Sequence, residues 1–153
     1  MIRQRPGDLL QVERAGRYYY ALVLSRDRAF GGDLVFAFHR ASESPLGVAE
    51  LVRRGSPGFY EFVDFILAKR EGRLTRVASK VDCSLFPCPR FFRRPFRAPG
   101  GYWIFEDMAG HEIKRTRSPS LEELRVPAIG RILDSLMADR IDQGWLRERD
   151  DAA

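Results

Sequence analysis

The chain has 153 residues, 44% hydrophobic and 31% charged, with a net charge of +5. That composition is globular, and the length suits one domain that buries roughly 70% of its unfolded surface without disulfide or metal staples. No apolar run approaches the ~20 residues that a membrane-spanning helix needs, so the reading expects no membrane partner.

The charge is uneven. Residues 69–117 hold twelve basic and five acidic side chains, and residues 118–153 hold five and eight. Of the 26 basic residues all but Lys69, Lys80 and Lys114 are arginine. Arginine is the better bidentate ligand for carboxylate and phosphate. The start of the chain has no signal-peptide core, and a cytoplasmic location is expected.

In chain order, three strands come first. Residues 9–12 follow the Gly7-Asp8 turn, 18–24 follow Ala15-Gly16, and 34–38 follow Gly31-Gly32-Asp33. Branched and aromatic side chains fit a pleated, half-buried surface. The third run is apolar throughout, which predicts burial on both faces. Alternation along Tyr18-Tyr19-Tyr20 puts Tyr18 and Tyr20 on one face and Tyr19 on the other. Residues 41–45 read as a loop. Residues 46–53 suit either a short helix or a strand.

Residues 56–70 read as a helix. Ser56 suits its N-cap and Pro57 its first position, while Phe59, Phe62, Val63, Ile66 and Leu67 fall at helical spacing. Lys69 and Arg70 suit its last turn and Gly72 its end. Residues 74–85 alternate loosely, as one strand would. Four prolines between Phe86 and Gly100 predict an extended loop or edge strand presenting Arg90, Arg93, Arg94 and Arg97 among Phe91, Phe92 and Phe96. Residues 102–105 and 112–115 read as a hairpin about a turn at 107–110. Ser120 and Glu123 make a capping box. Pro127 is expected to open a last helix with Ile129, Ile132, Leu133, Leu136 and Met137 on its apolar face, continued by Ile141 and Trp145. Residues 1–148 read as one domain and 149–153 as a frayed tail. The expected class is α+β: a bent antiparallel sheet, barrel-like in its N-terminal part, packed by one central and one C-terminal helix.

Chemistry-bearing constellations are scarce. Cys83 and Cys88 lack the partners of a zinc site and read as reduced thiols. His39 ends an apolar strand and reads as a hydrogen-bonded structural residue. Glu106 and Asp107 are adjacent and would face opposite ways in a strand. The Gly31-Gly32-Asp33 turn lacks phosphate-loop spacing. No cofactor, metal or catalytic residue is expected. The arginine–phenylalanine loop admits three readings, in this order: core anchors with solvated arginines, a clamp for carboxylates of an acidic protein, and a nucleic-acid track.

Three motifs carry a resemblance: Gly7 to Val12, Gly16 to Leu24, and Gly32 to Phe38. Together they resemble the immunity protein 26 family of bacterial polymorphic toxin systems, well over the first forty residues and in outline beyond. The resemblance implies a cytosolic, non-enzymatic antitoxin that binds and blocks a cognate toxin. The arginine-rich loop has no place in that resemblance; strand alternation and hot-spot chemistry, taken by themselves, make Tyr18, Tyr20, Arg93 and Arg94 the expected partner-binding residues, facing an acidic toxin surface. The opening also looks like the small β-barrel ribonuclease toxins of the PemK/MazF kind, with Tyr19-Tyr20 where those carry Arg-Pro. In that alternative Arg17 would be the transition-state cation and His39 the base. A third alternative is a non-catalytic basic module that binds nucleic acid.

Overall fold

The computed structural model describes residues 3–26 and 32–151; Gly31 of the third turn and the last two residues of the expected tail lie outside them. Strands β1 (Leu9–Arg14), β2 (Arg17–Arg26) and β3 (Asp33–Phe38) form an antiparallel meander, as the sequence predicts. The β1–β2 turn has positive φ at both Ala15 (51°) and Gly16 (74°), the backbone twist that joins two strands through two residues. All six residues of β3 are buried, so its unbroken apolar run does mark a strand covered on both faces.

The next element corrects the sequence reading. Residues 56–70 are not one helix. Strand β4 (Gly58–Asp64) pairs with β3 along its whole length, and only Ile66–Arg70 is helical (α2). Both faces of β4 are covered, so its apolar residues satisfy a helical stripe as well as a strand. Phe59 and Val63 point to one core and Phe62 to the other. Gly58 has no room for a side chain: a Cβ there would stand 2.3 Å from the Ala37 carbonyl and 2.6 Å from the Phe36 ring. Ile66 and Leu67, expected in the core, are exposed. Gly72, at φ 69°, does stand just beyond the end of α2. Before β4, residues Val48–Leu51 take the helical option (α1).

Strand β5 (Leu74–Ala78) ends well short of residue 85, and Cys83–Leu85 is a single 3₁₀ turn. The proline-rich stretch contributes a two-residue edge strand, β6 (Phe92–Arg93). It pairs with β7 (Trp103–Glu106), which pairs with β8 (Glu112–Thr116) in the expected hairpin. Ser120 caps α3 (Leu121–Arg125) in the expected capping box.

Pro127 does not open a helix. The Arg93 amide donates to the Pro127 carbonyl and the Ile129 amide to the Arg93 carbonyl, a parallel bridge at Arg93–Ala128, and β9 (Ile132–Leu133) adds in parallel to β4. Gly130, at φ 123°, occupies backbone space a helix cannot use. The helix starts later, as α4 (Asp134–Asp142), burying Met137, Ala138 and Ile141, while Leu133 and Leu136 remain exposed. Residues 147–151 form a short helix, α5 (Arg147–Asp151), where the tail was expected.

The result is mixed α+β: an open, bent six-stranded sheet in the order β5-β1-β2-β3-β4-β9, plus the small sheet β6-β7-β8. Alternation sorts the sheet's side chains into two cores. One, under α4, holds Leu10, Val12, Tyr19, Val35, Phe59 and Met137. The other, under the segment leading to β6, holds Leu9, Tyr20, Leu22, Phe36, Phe38 and Phe86. Among the described residues no helix is long and apolar enough to cross a membrane.

Candidate functional site

The linker through residues 128–132 crosses from the small sheet to the edge of the large one. Beside it the chain leaves a cleft of about 310 Å³. Five chain segments line it: β4 through Glu61, the start of the 93–97 loop, the linker through Arg131, α4 through Arg140, and the α4–α5 corner through Trp145 and Arg147. Its lining includes four arginines (Arg93, Arg131, Arg140 and Arg147) and one acidic residue, Glu61.

Glu61 sits on β4 between Phe59 and Val63, so period-2 alternation turns it inward, under α4. It is 2% exposed. Its Oε2 accepts from Arg140 Nη1 at 2.6 Å and from Arg147 Nη2, and its Oε1 accepts the Phe62 amide at 3.2 Å. A buried carboxylate is tolerable only when paired and hydrogen-bonded in this way. Arg147 is 5% exposed, and its Nε finds no hydrogen-bond partner among the described residues. Two indole rings help to hold the crowded cations. The Arg140 and Arg147 guanidiniums lie 4.1 and 5.0 Å from the Trp145 ring centre, and those of Arg93 and Arg97 lie 4.8 and 5.1 Å from that of Trp103. Cation–π attraction offsets part of the desolvation each charge suffers. Arg131 stands at the mouth, half exposed, with Asp64 at 3.4 Å.

The residues singled out in the sequence are scattered by this arrangement. Tyr18 and Tyr20 do share a face, opposite Tyr19, but that face is a core. Tyr20 is wholly buried, donating to Gln11 Oε1 at 3.1 Å and accepting the Leu46 amide at 2.8 Å. Tyr18 is half-buried against the same cluster. Neither lines the cleft, and of the arginine pair only Arg93 does. Arg93 is not surface charge either: it is 3% exposed, stacked on Trp103. Arg94 is exposed and bonded to Glu106 at 2.9 Å. The phenylalanines of this loop divide: Phe92 is buried, Phe91 packs on Trp103 and Phe105's cluster, and Phe96 is 81% exposed beside the cleft-lining Pro95.

Arg17 and His39 are both engaged by the C-terminal segment. Arg17 pairs with Asp142 at 3.1 Å, and the Tyr19 hydroxyl donates to the same carboxylate at 2.7 Å. The Nε2 of His39 lies 2.7 Å from the Trp145 carbonyl, so that nitrogen carries the proton and donates. Burial lowers the pKa of His39, against the pull of that carbonyl. Both residues thus help fasten α4 and its corner to the sheet, along with Arg14–Asp139 at 2.7 Å and Arg73–Asp134 at 3.1 Å. Among the described residues no three His, Cys, Asp or Glu side chains gather as a metal site. Cys83 and Cys88 are free thiols.

Four of the cleft's members (Glu61, Arg131, Arg140 and Arg147) escaped the sequence reading. One signal was available: Glu61 is a single acid in the apolar run from Phe59 to Val63. Taken at strand period it must be buried and needs a cationic partner. Taken at helix period it falls on the polar face. Comparison of the chain with protein-family models, with curated proteins and with solved structures finds no match.

Proposed function

We propose that this chain is a binding protein of the immunity kind, which neutralises a toxin domain by occupying it and not by chemistry. The cleft takes an acidic element of the toxin's surface, with Pro95 and the half-exposed Arg131 in its lining. The observation that carries this reading is the composition of the cleft: its lining holds four arginines, two of them buried, and a single acidic side chain, Glu61, which bonds two of them. Planar guanidiniums held in place by packing lose little freedom on meeting a carboxylate. The resemblance of residues 7–38 to immunity protein 26 sequences supports the same reading, as does the engagement of Arg17 and His39 with the C-terminal segment, which suits a structural role for both. The proposed setting is the bacterial cytoplasm, and the proposed partner is the toxin encoded beside this chain.

Co-expression tests it. Growth should be rescued from the neighbouring toxin domain, and the two proteins should co-purify in a complex that weakens as salt rises. No rescue and no complex would reject the proposal. So would RNA cleavage by the purified chain that Arg17→Ala or His39→Ala abolishes.

A further inference from the structure

The arginine cleft has features that a passive cluster of ion pairs would not need. Glu61 already satisfies one Nη of Arg140 and one of Arg147 through a single oxygen, Oε2. Arg147 keeps a buried Nε with no hydrogen-bond partner among the described residues. Leaving a buried charged donor unsatisfied costs more than leaving a neutral one. Arg93, from a different sheet, brings a further guanidinium to the same space at 3% exposure. The positions of these groups are set by elements that do not depend on a guest: β4 holds Glu61, the β6–β7 pair holds Arg93, and Trp145 is fixed by an edge-to-face contact with Phe59 at 5.1 Å. Arg131 stands half exposed at the entrance, where a guest would meet it first.

We infer that this cleft is an oxyanion-binding site in its own right, for a group with two or three negatively charged oxygens. Carboxylate and phosphoryl groups share that chemistry, and both match the fork of a guanidinium. The guest reaches Arg147 Nε and the guanidinium N–H edges that Glu61 does not take, and Arg131 closes behind it. Like-charge repulsion among the four arginines falls when it enters, so the guest stabilises the fold as well as binding to it. The inference rests on the same cleft as the functional proposal, yet it does not require the partner to be a toxin.

The test uses the full chain and two probes, inorganic phosphate and acetate, each titrated against sodium chloride at matched ionic strength. The readouts are tryptophan emission, since Trp145 and Trp103 carry the stacked arginines, and melting temperature. A saturable emission change with a rising melting temperature, absent with chloride, is the expected result for at least one probe. The probe that binds more tightly identifies the guest as carboxylate or phosphoryl. Arg131→Ala should weaken that binding by about tenfold, as the loss of one charge-assisted contact would. Arg115→Ala, on β8, should leave it unchanged. A linear response equal to that of chloride with both probes, or equal affinity in Arg131→Ala and the unsubstituted chain, would overturn the inference. The two proposals part cleanly. Ion binding without a toxin complex rejects only the immunity reading. A toxin complex without ion binding rejects only the oxyanion site.

Discussion

The N-terminal meander and the arginine cleft are built on opposite terms. In β1–β3 each strand pairs with its sequence neighbour, both faces are largely apolar, and most residues are buried, the exceptions lying at strand ends. In the cleft, Glu61 meets arginines 79 and 86 positions away, and charge is buried by choice of partner. The first region is held by area removed from water, which is non-directional and tolerant of salt. The second is held by paired charges, each worth little alone and costly when left alone. The comparison teaches where specificity can reside here: the meander sets the scaffold, and the groups able to recognise a partner lie where the scaffold's last strand, linker and C-terminal helices meet.

The sharpest way to break that contrast is Glu61→Ala. It leaves two arginines, one of them buried, without their carboxylate, and should cost about 3–5 kcal/mol in a denaturant melt. Added phosphate should recover part of that loss by supplying an alternative counter-charge. Leu22→Ala, in the meander, should cost about 2–5 kcal/mol through the cavity it opens; its cleft is intact, so phosphate should stabilise it only as much as it stabilises the unsubstituted chain. If phosphate added no more to Glu61→Ala than to Leu22→Ala and the unsubstituted chain, the cleft's arginines would have no need of a counter-charge and the contrast would fail.

A smaller effect separates the two arginines that look equivalent in sequence. Arg93→Ala removes a buried cation stacked on Trp103 and should destabilise by about 1–2 kcal/mol. Arg94→Ala, at the surface with Glu106, should stay within about 0.5 kcal/mol. Equal melting temperatures would place Arg93 outside the packed structure.

The smallest effect is one of pH. His39 has a folded pKa below its ordinary value of 6.5, chiefly because burial disfavours its charged form. Below pH 6.5 the unfolded chain therefore binds a proton that the folded chain does not. The stability due to the neutral ring is present above 6.5 and declines as pH falls from there toward the lower folded value. Thermal melts between pH 7.5 and 5.5 should show that decline, and His39→Gln should flatten it. Asp33, whose pKa burial raises above 3.8, acts with the opposite sign and at lower pH.

How much of this was legible beforehand follows from the same contrast. The meander could be read residue by residue, because Ala15-Gly16 specifies a turn and the flanking runs have the composition of strands. The hairpin of β7 and β8 and the Ser120 capping box were legible for the same local reasons. Strand β4 was not. Ser56 and Pro57 imitate a helix start, and a strand apolar on both faces has no period to betray it. What decides for the strand is β3, whose edge needs a partner, and Gly58, which lets the chain pass over Phe36. The last helix was displaced for a similar reason: β4's other edge recruits Ile132 and Leu133, and Gly130 breaks the backbone first. Arg93 and Arg94 looked alike because a two-residue edge strand decides which of them turns inward. The cleft is assembled from residues that no local window joins, so only Glu61, by its misplaced charge, hinted at it.

The central claim is that the cleft recognises the partner through its arginines. The most direct measurement is the affinity of Arg131→Ala for the proposed toxin partner, taken with its melting temperature. Arg131 is half exposed, so stability should move by less than about 1 kcal/mol. Partner binding should weaken by about 1.5–3 kcal/mol, the range for a hydrogen bond to a charged group. An unchanged affinity in a normally folded variant would contradict the account and move the interface away from the cleft.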